Sequence, residues 1–147
     1  MPIFFAPFFS SKKLPEIYLG EEGVKESFAE KKPSFETPLQ SKYTELSFQI
    51  LTLLTDHGKD LFMIKKIDVS HAFAQTLGKR EIVIILENTL PEGISTHFLR
   101  ISPKEFAKEL ANYLSLRPRL LESENLEKGA VKQKVIDLRL SKLAFIK

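Results

Sequence analysis

The chain has 147 residues, 43% of them apolar and 28% charged, with a net charge of +3. These are the proportions of one ordinary globular domain, long enough to bury a real core. There is no cysteine, which excludes disulfides, thiolate metal sites and cysteine nucleophiles and fits a reducing, cytoplasmic setting.

Charge is uneven along the chain. Residues 1–102 carry twelve Lys/Arg against thirteen Asp/Glu, and residues 103–147 carry ten against six. So mild an excess suits a solvated surface first, and nucleic acid or an acidic partner second. No apolar run approaches the roughly 18 residues of a membrane span. The opening MPIFFAPFFSSKK lacks a basic lead-in and is broken by Pro7, so it reads as mature protein and not as a signal peptide.

Residues 1–42 hold five of the eight prolines and six of the twelve phenylalanines. Proline resists helix interiors and central strands, yet Phe4, Phe5, Phe8 and Phe9 are too apolar for a disordered linker. The expectation is an extended arm, residues 1–42, followed by an α+β globular domain, residues 43–147. The arm's aromatics either dock on the protein's own core or anchor another chain, because aromatic side chains dominate interfaces. Within the arm, Glu16 to Leu19 suits a short strand and Val24 to Lys31 a helical turn or two.

Tyr43 to Thr55 alternates through Leu46, Phe48 and Ile50, then becomes continuously apolar. Asp56-His57-Gly58-Lys59 is a turn signal, and Asp60 to Asp68 follows as a strand. The pair reads as a hairpin. A helix over 44–54 is the competing reading, since Leu46, Ile50, Leu53 and Leu54 also fit helical spacing. Ser70 to Leu77 reads as a short helix closed by Gly78.

Arg80 to Leu116 carries the clearest pattern. Ile82 to Leu86 is a β-branched apolar run. Asn88, Pro91 and Gly93 break it, and Ile94 to Ile101 resumes as an antiparallel partner. Ser102, Pro103 and Glu105 form a capping-box signature. It starts one long amphipathic helix, about 103–116, with Phe106, Leu110, Tyr113 and Leu114 on one stripe. Pro118 ends it, by disfavouring helical geometry at Arg117. The stretch from Ile67 echoes the one from Ile101, which suggests a ββα unit repeated at about 34 residues. Arg117 to Gly129 reads as a connecting loop. Val131 to Phe145 is a half-exposed strand in which Ile136, Leu138 and Leu140 alternate with charge.

Local chemistry is sparse. His57, His71 and His97 share no metal-site spacing, and no HExxH, GxSxG, GxGxxG or phosphate loop occurs. No catalytic residue, metal ligand or cofactor is implied. The expected fold is therefore α+β: an antiparallel sheet of about five strands, one long helix packed on it, and an extended N-terminal arm.

The expected function is non-enzymatic: an adaptor or assembly subunit docking another protein chain, or a second copy, through Phe4, Phe5, Phe8, Phe9 and a sheet edge. The alternative is single-stranded nucleic-acid binding, with Phe62 and Phe98 stacking bases and Lys65, Lys66, Arg100, Lys132, Lys134 and Arg139 tracking phosphates. A dispersed histidine–carboxylate enzyme site is the third reading, since such constellations are invisible in sequence order.

Overall fold

The computed structural model describes residues 14–28, 41–58, 60–127, 129, 131–140 and 145–147. In chain order they form β1 (Glu16–Tyr18), α1 (Gly20–Phe28), α2 (Lys42–Gly58), β2 (Met63–Asp68), β3 (Ile82–Leu90), β4 (Gly93–Ile101), α3 (Phe106–Asn125), β5 (Val131–Asp137) and β6 (Phe145–Ile146). Five strands and the two-residue sixth lie in sequence order in one sheet. The class is α+β.

The sheet is mixed and not purely antiparallel. β1 pairs parallel with β2 and β4 parallel with β5, while the other three pairs are antiparallel. The reason is the connections. The chain between β4 and β5 is a helix, as is much of the chain between β1 and β2, and a crossover returns the chain in the same direction. The β3–β4 hairpin is as expected, turning at Pro91-Glu92.

The segment 44–54 belongs to a helix, not to a hairpin strand. Ser41 and Thr44 cap α2 reciprocally: the Thr44 amide donates to Ser41 Oγ at 3.2 Å and the Ser41 amide to Thr44 Oγ1 at 3.0 Å, as in a capping box. Tyr43, Leu46, Ser47, Ile50 and Leu54 are buried, at the three- and four-residue spacing of one helix face. Phe48, one of the residues that suggested alternation, is 55% exposed.

The proposed helix at 70–77 is a series of turns, and only Leu77–Lys79 is a 3-10 turn. Asp68 accepts from both the amide and the hydroxyl of Ser70, and such local bonds compete with helix formation. The ββα repeat therefore falls away, because its first copy has a helix where a strand was required and turns where a helix was required.

The single long helix is also revised. α2 has 17 residues and α3 has 20, running through Pro118 to Asn125. A proline inside a helix removes one backbone bond and costs about 3 kcal/mol. Here contacts on both sides of it, by Tyr113 and Glu124, hold the helix to the sheet. Half of the capping box forms, the Glu105 amide donating to Ser102 Oγ at 3.4 Å, while its other half is displaced. Helical geometry begins at Phe106, and the carboxylate that reaches back is Glu109, which accepts from the Ser102 amide at 2.6 Å and its hydroxyl at 2.8 Å.

Buried residues of α2 and α3 meet Ile67, Ile82, Ile84, Leu86, Leu99, Ile101 and Ile136 in one core. Both helices therefore lie on the same face of the sheet, and α1 packs beside α2, with Gly23 against the Tyr43 ring. Among the described residues, no helix covers the opposite face.

Candidate functional site

The strand registers assign the side chains of the opposite face. Cross-strand partners share a face, so Ile85, Phe98 and Val135 form one row, with Lys66 and Glu16 continuing it on β2 and β1. Ile94 and Val131 form another row with Thr89, and Val83 joins Arg100 and Asp137 in a third. Ile94 is 41% exposed and Val135 38%, while Val83, Ile85 and Phe98 are half-buried. The Ile82–Leu86 half of β3 is apolar toward both faces, the pattern of a strand with cover on each side.

Both arginines of this face, and Lys65 beside it, are paired. Arg100 Nε donates to Glu81 at 2.8 Å, and Arg100 also lies 3.4 Å from Asp137. Arg139 grips Asp137 through Nε and a terminal nitrogen at 2.9 and 2.7 Å. That grip holds the Asp137 carboxyl below the ordinary carboxylate range. Lys65 lies 3.8 Å from Glu87, and the Lys66 ammonium sits 4.9 Å from the Tyr18 ring.

The structure separates the eight residues singled out for nucleic acid. Lys66, Phe98, Arg100 and Arg139 meet on the face that no described helix covers, with Lys65 at the β2 irregularity beside it. Phe62 packs on the helix side, against Tyr113 and Arg117. Lys132 is buried on the helix side, donating to the Glu124 carbonyl, and Lys134 pairs with Glu127 at 2.9 Å. Phe4, Phe5, Phe8 and Phe9 lie outside the described residues.

A second concentration of chemistry lies beneath the covered face. His97 on β4 is 0% exposed and Glu124 on α3 is 1% exposed. His97 Nε2 lies 3.0 and 3.1 Å from the two Glu124 oxygens, and its Nδ1 lies 2.7 Å from the Tyr113 hydroxyl and 3.3 Å from Asn88 Nδ2. Ser95 donates to Glu124 at 2.7 Å, and Arg117 Nε to Asn88 Oδ1 at 2.7 Å.

The carboxylate requires a proton on Nε2, which leaves Nδ1 as the acceptor of the tyrosine O–H. Burial pushes the His97 pKa below its ordinary value, against the opposing pull of Glu124. The imidazole is thus neutral near pH 7. Burial also pushes the Tyr113 hydroxyl up to about 12.

Serine and histidine both donate to the same carboxylate, so this is not the relay of a nucleophilic triad, in which the base contacts the serine. A cavity of about 210 Å³ at this end of the sheet is lined by Leu90, Gly93, Asn125 and Lys132, and by neither His97 nor Glu124. His57 and His71 are exposed elsewhere. Among the described residues, no cluster of His, Asp or Glu is disposed to hold a metal ion, and no helix is long and apolar enough to cross a membrane.

Of the network, the sequence singles out only His97, as an isolated histidine, and Lys132, as a phosphate-tracking lysine, which the structure buries against the Glu124 carbonyl. The missed signal is positional. Asn88 shares the inward face of Ile84 and Leu86, Ser95 and His97 share that of Leu99 and Ile101, and Arg117 and Glu124 continue the stripe of Leu110 and Tyr113. These three elements place polar residues at the same end of their apolar faces. No known protein family, curated protein or solved structure matches this chain.

Proposed function

We propose that this protein is a non-enzymatic assembly subunit that docks another protein chain on the sheet face that no described helix covers. The observation that carries the reading is the row Ile85, Phe98 and Val135, flanked by Val83 and Ile94, on a face no described helix covers. Exposed apolar surface rimmed by polar groups marks interaction sites, and Ile94, Val131 and Val135 are the exposed members here, with Ile85 and Phe98 half-buried between them. The sheet edges contribute little to the reading, since β1 has three residues and β6 two. The phenylalanines at 4, 5, 8 and 9 belong to the same proposal: deleting residues 1–10 is expected to preserve the fold and to change association.

The test is binding of a hydrophobic dye to the full chain, compared with Phe98→Glu. Strong dye fluorescence that the substitution abolishes, with an unchanged far-UV circular dichroism spectrum, supports the reading. A chain that binds no dye, alone or after deletion of residues 1–10, contradicts it.

Single-stranded nucleic acid is the second reading, favoured by Phe98, Lys66 and Arg100 on one face. Against it, Arg100 and Arg139 are already engaged by Glu81 and Asp137. Fluorescence anisotropy with a labelled oligonucleotide separates the two. Binding that falls steeply with salt, and loses slope in Lys66→Ala, would promote nucleic acid.

A further inference from the structure

We infer that the last two turns of α3, from Pro118 to Asn125, form an acid-released latch that opens as a unit while the rest of the fold stays closed. The helix is built in two unlike halves. Up to Arg117 it is held by apolar burial: Leu110 and Tyr113 are fully buried, and Phe106, Leu114 and Leu116 pack against the core. From Pro118 on, Glu124 is the one buried residue, and Leu120 is the one apolar contact with the core among the described residues. Pro118 has no N–H to give the Leu114 carbonyl, so a backbone bond that would join the halves is missing.

What fastens the second half is polar. The Glu124 carboxylate accepts from Ser95 at 2.7 Å and lies 3.0 Å from His97 Nε2, and the Glu124 carbonyl accepts from Lys132. Segments with few buried apolar contacts open at a lower free energy than the whole domain. This one stays tied at both ends, to the first half of α3 and to β5. Release is therefore a loosening of two turns and not the swing of a free arm. It presents Asn88, Ser95 and His97 to solvent, on the face opposite the docking surface.

Acid acts on this fastening through His97. The imidazole faces Glu124, Tyr113 and Arg117 from α3, Asn88 from β3, Ser95 on its own strand, and Lys132 and Lys134 from β5. The Glu124 carboxylate thus already sits among three cations, of which Lys134 is matched by Glu127. A charged imidazole adds a fourth. It also needs an acceptor at Nδ1. There the Tyr113 hydroxyl would have to reverse its bond, and the Asn88 amide offers only hydrogens, its oxygen being held by Arg117.

Burial lowers the His97 pKa in the closed state, although Glu124 pulls the other way. Water restores the ordinary value of about 6.5 once the latch opens. The closed state is therefore fully favoured above about pH 6.5 and loses ground as pH falls through the lowered value. One proton taken up on opening enlarges the open population by up to about tenfold between about pH 7.5 and about pH 5.5.

Amide hydrogen exchange of the full chain, corrected for the intrinsic pH dependence of exchange, tests the inference. Residues 119–125 should be less protected than residues 110–114 at both pH values, and their protection should fall on acidification by up to about tenfold. His97→Gln keeps a donor for Glu124 and an acceptor for Tyr113 but cannot titrate, and should abolish that fall. Pro118→Ala restores the missing N–H and should raise the protection of residues 119–125. Equal protection of the two halves overturns the inference, because α3 would then open only with the whole domain. So does protection of residues 119–125 that is insensitive to acid, an undiminished fall in folded His97→Gln, or no gain in folded Pro118→Ala.

Discussion

Replacing Glu124 with leucine removes one carboxylate from a dry site and strands two donors. The Ser95 hydroxyl at 2.7 Å and His97 Nε2 at 3.0 Å both give their protons to it. Each buried donor left without an acceptor costs about 1–3 kcal/mol, so the pair costs about 2–6 kcal/mol. Relief from burying a carboxylate offsets part of this, leaving about 2–4 kcal/mol. With a urea slope of about 2 kcal/mol/M, the unfolding midpoint should fall by about 1–2 M. The assay is urea denaturation followed by far-UV circular dichroism, with the slope checked for constancy. A loss below about 1 kcal/mol would refute the reasoning, since water would then be satisfying both donors and the network would not be sealed.

The same site sets an acid response. Burial holds the His97 pKa below its ordinary value, so the folded state takes up this proton at lower pH than the unfolded chain. The resulting stability is full above about pH 6.5, the unfolded value, and is lost as pH falls through the folded value. Urea midpoints should drop on acidification from about pH 7.5 to about pH 5.5, and His97→Phe should flatten that drop; an equal drop in the variant refutes the assignment. Gly58 closes α2 where a Cβ would lie 2.2 Å from the Phe62 ring. Gly58→Ala should therefore destabilise by about 1–3 kcal/mol, read as a lowered thermal midpoint. Glu109 accepts two bonds from Ser102 while buried. Glu109→Ala should cost about 1–3 kcal/mol and Glu109→Gln less, because the amide oxygen still accepts one of them.

The parts of this fold legible from sequence are those governed by short-range patterns. The Ile82–Leu86 run, the Pro91 turn and the strand from Ile94 fold as the β3–β4 hairpin. The stripe of Phe106, Leu110 and Tyr113 folds onto the sheet as expected. What failed depended on distant partners. Leu46, Phe48 and Ile50 satisfy both periods, and burial chose the helical one by leaving Phe48 outside. Pro118 should have stopped α3, but anchors at Tyr113 and Glu124 on either side outweigh its local preference. Parallel pairing of β4 with β5 follows from that longer helix, which carries the chain back across the sheet.

The candidate surface was half legible. Phe98, Lys66 and Arg100 were recognised as strand residues of interest, while their shared face required the register. Asn88 looked like a turn residue and His97 like an isolated one. Their proximity across the hairpin, and the arrival of Glu124 from 27 residues beyond His97, is a property of the tertiary fold.

The central claim, that the uncovered face is where another chain sits, is tested most directly by a thiol placed on it. The chain has no cysteine, so Thr96→Cys, whose side chain shares the face of Ile94 and Phe98, reports on that face alone. Its reaction rate with a maleimide should approach that of Asn112→Cys on the exposed side of α3. A Thr96→Cys thiol that stays protected in the folded protein would contradict the account.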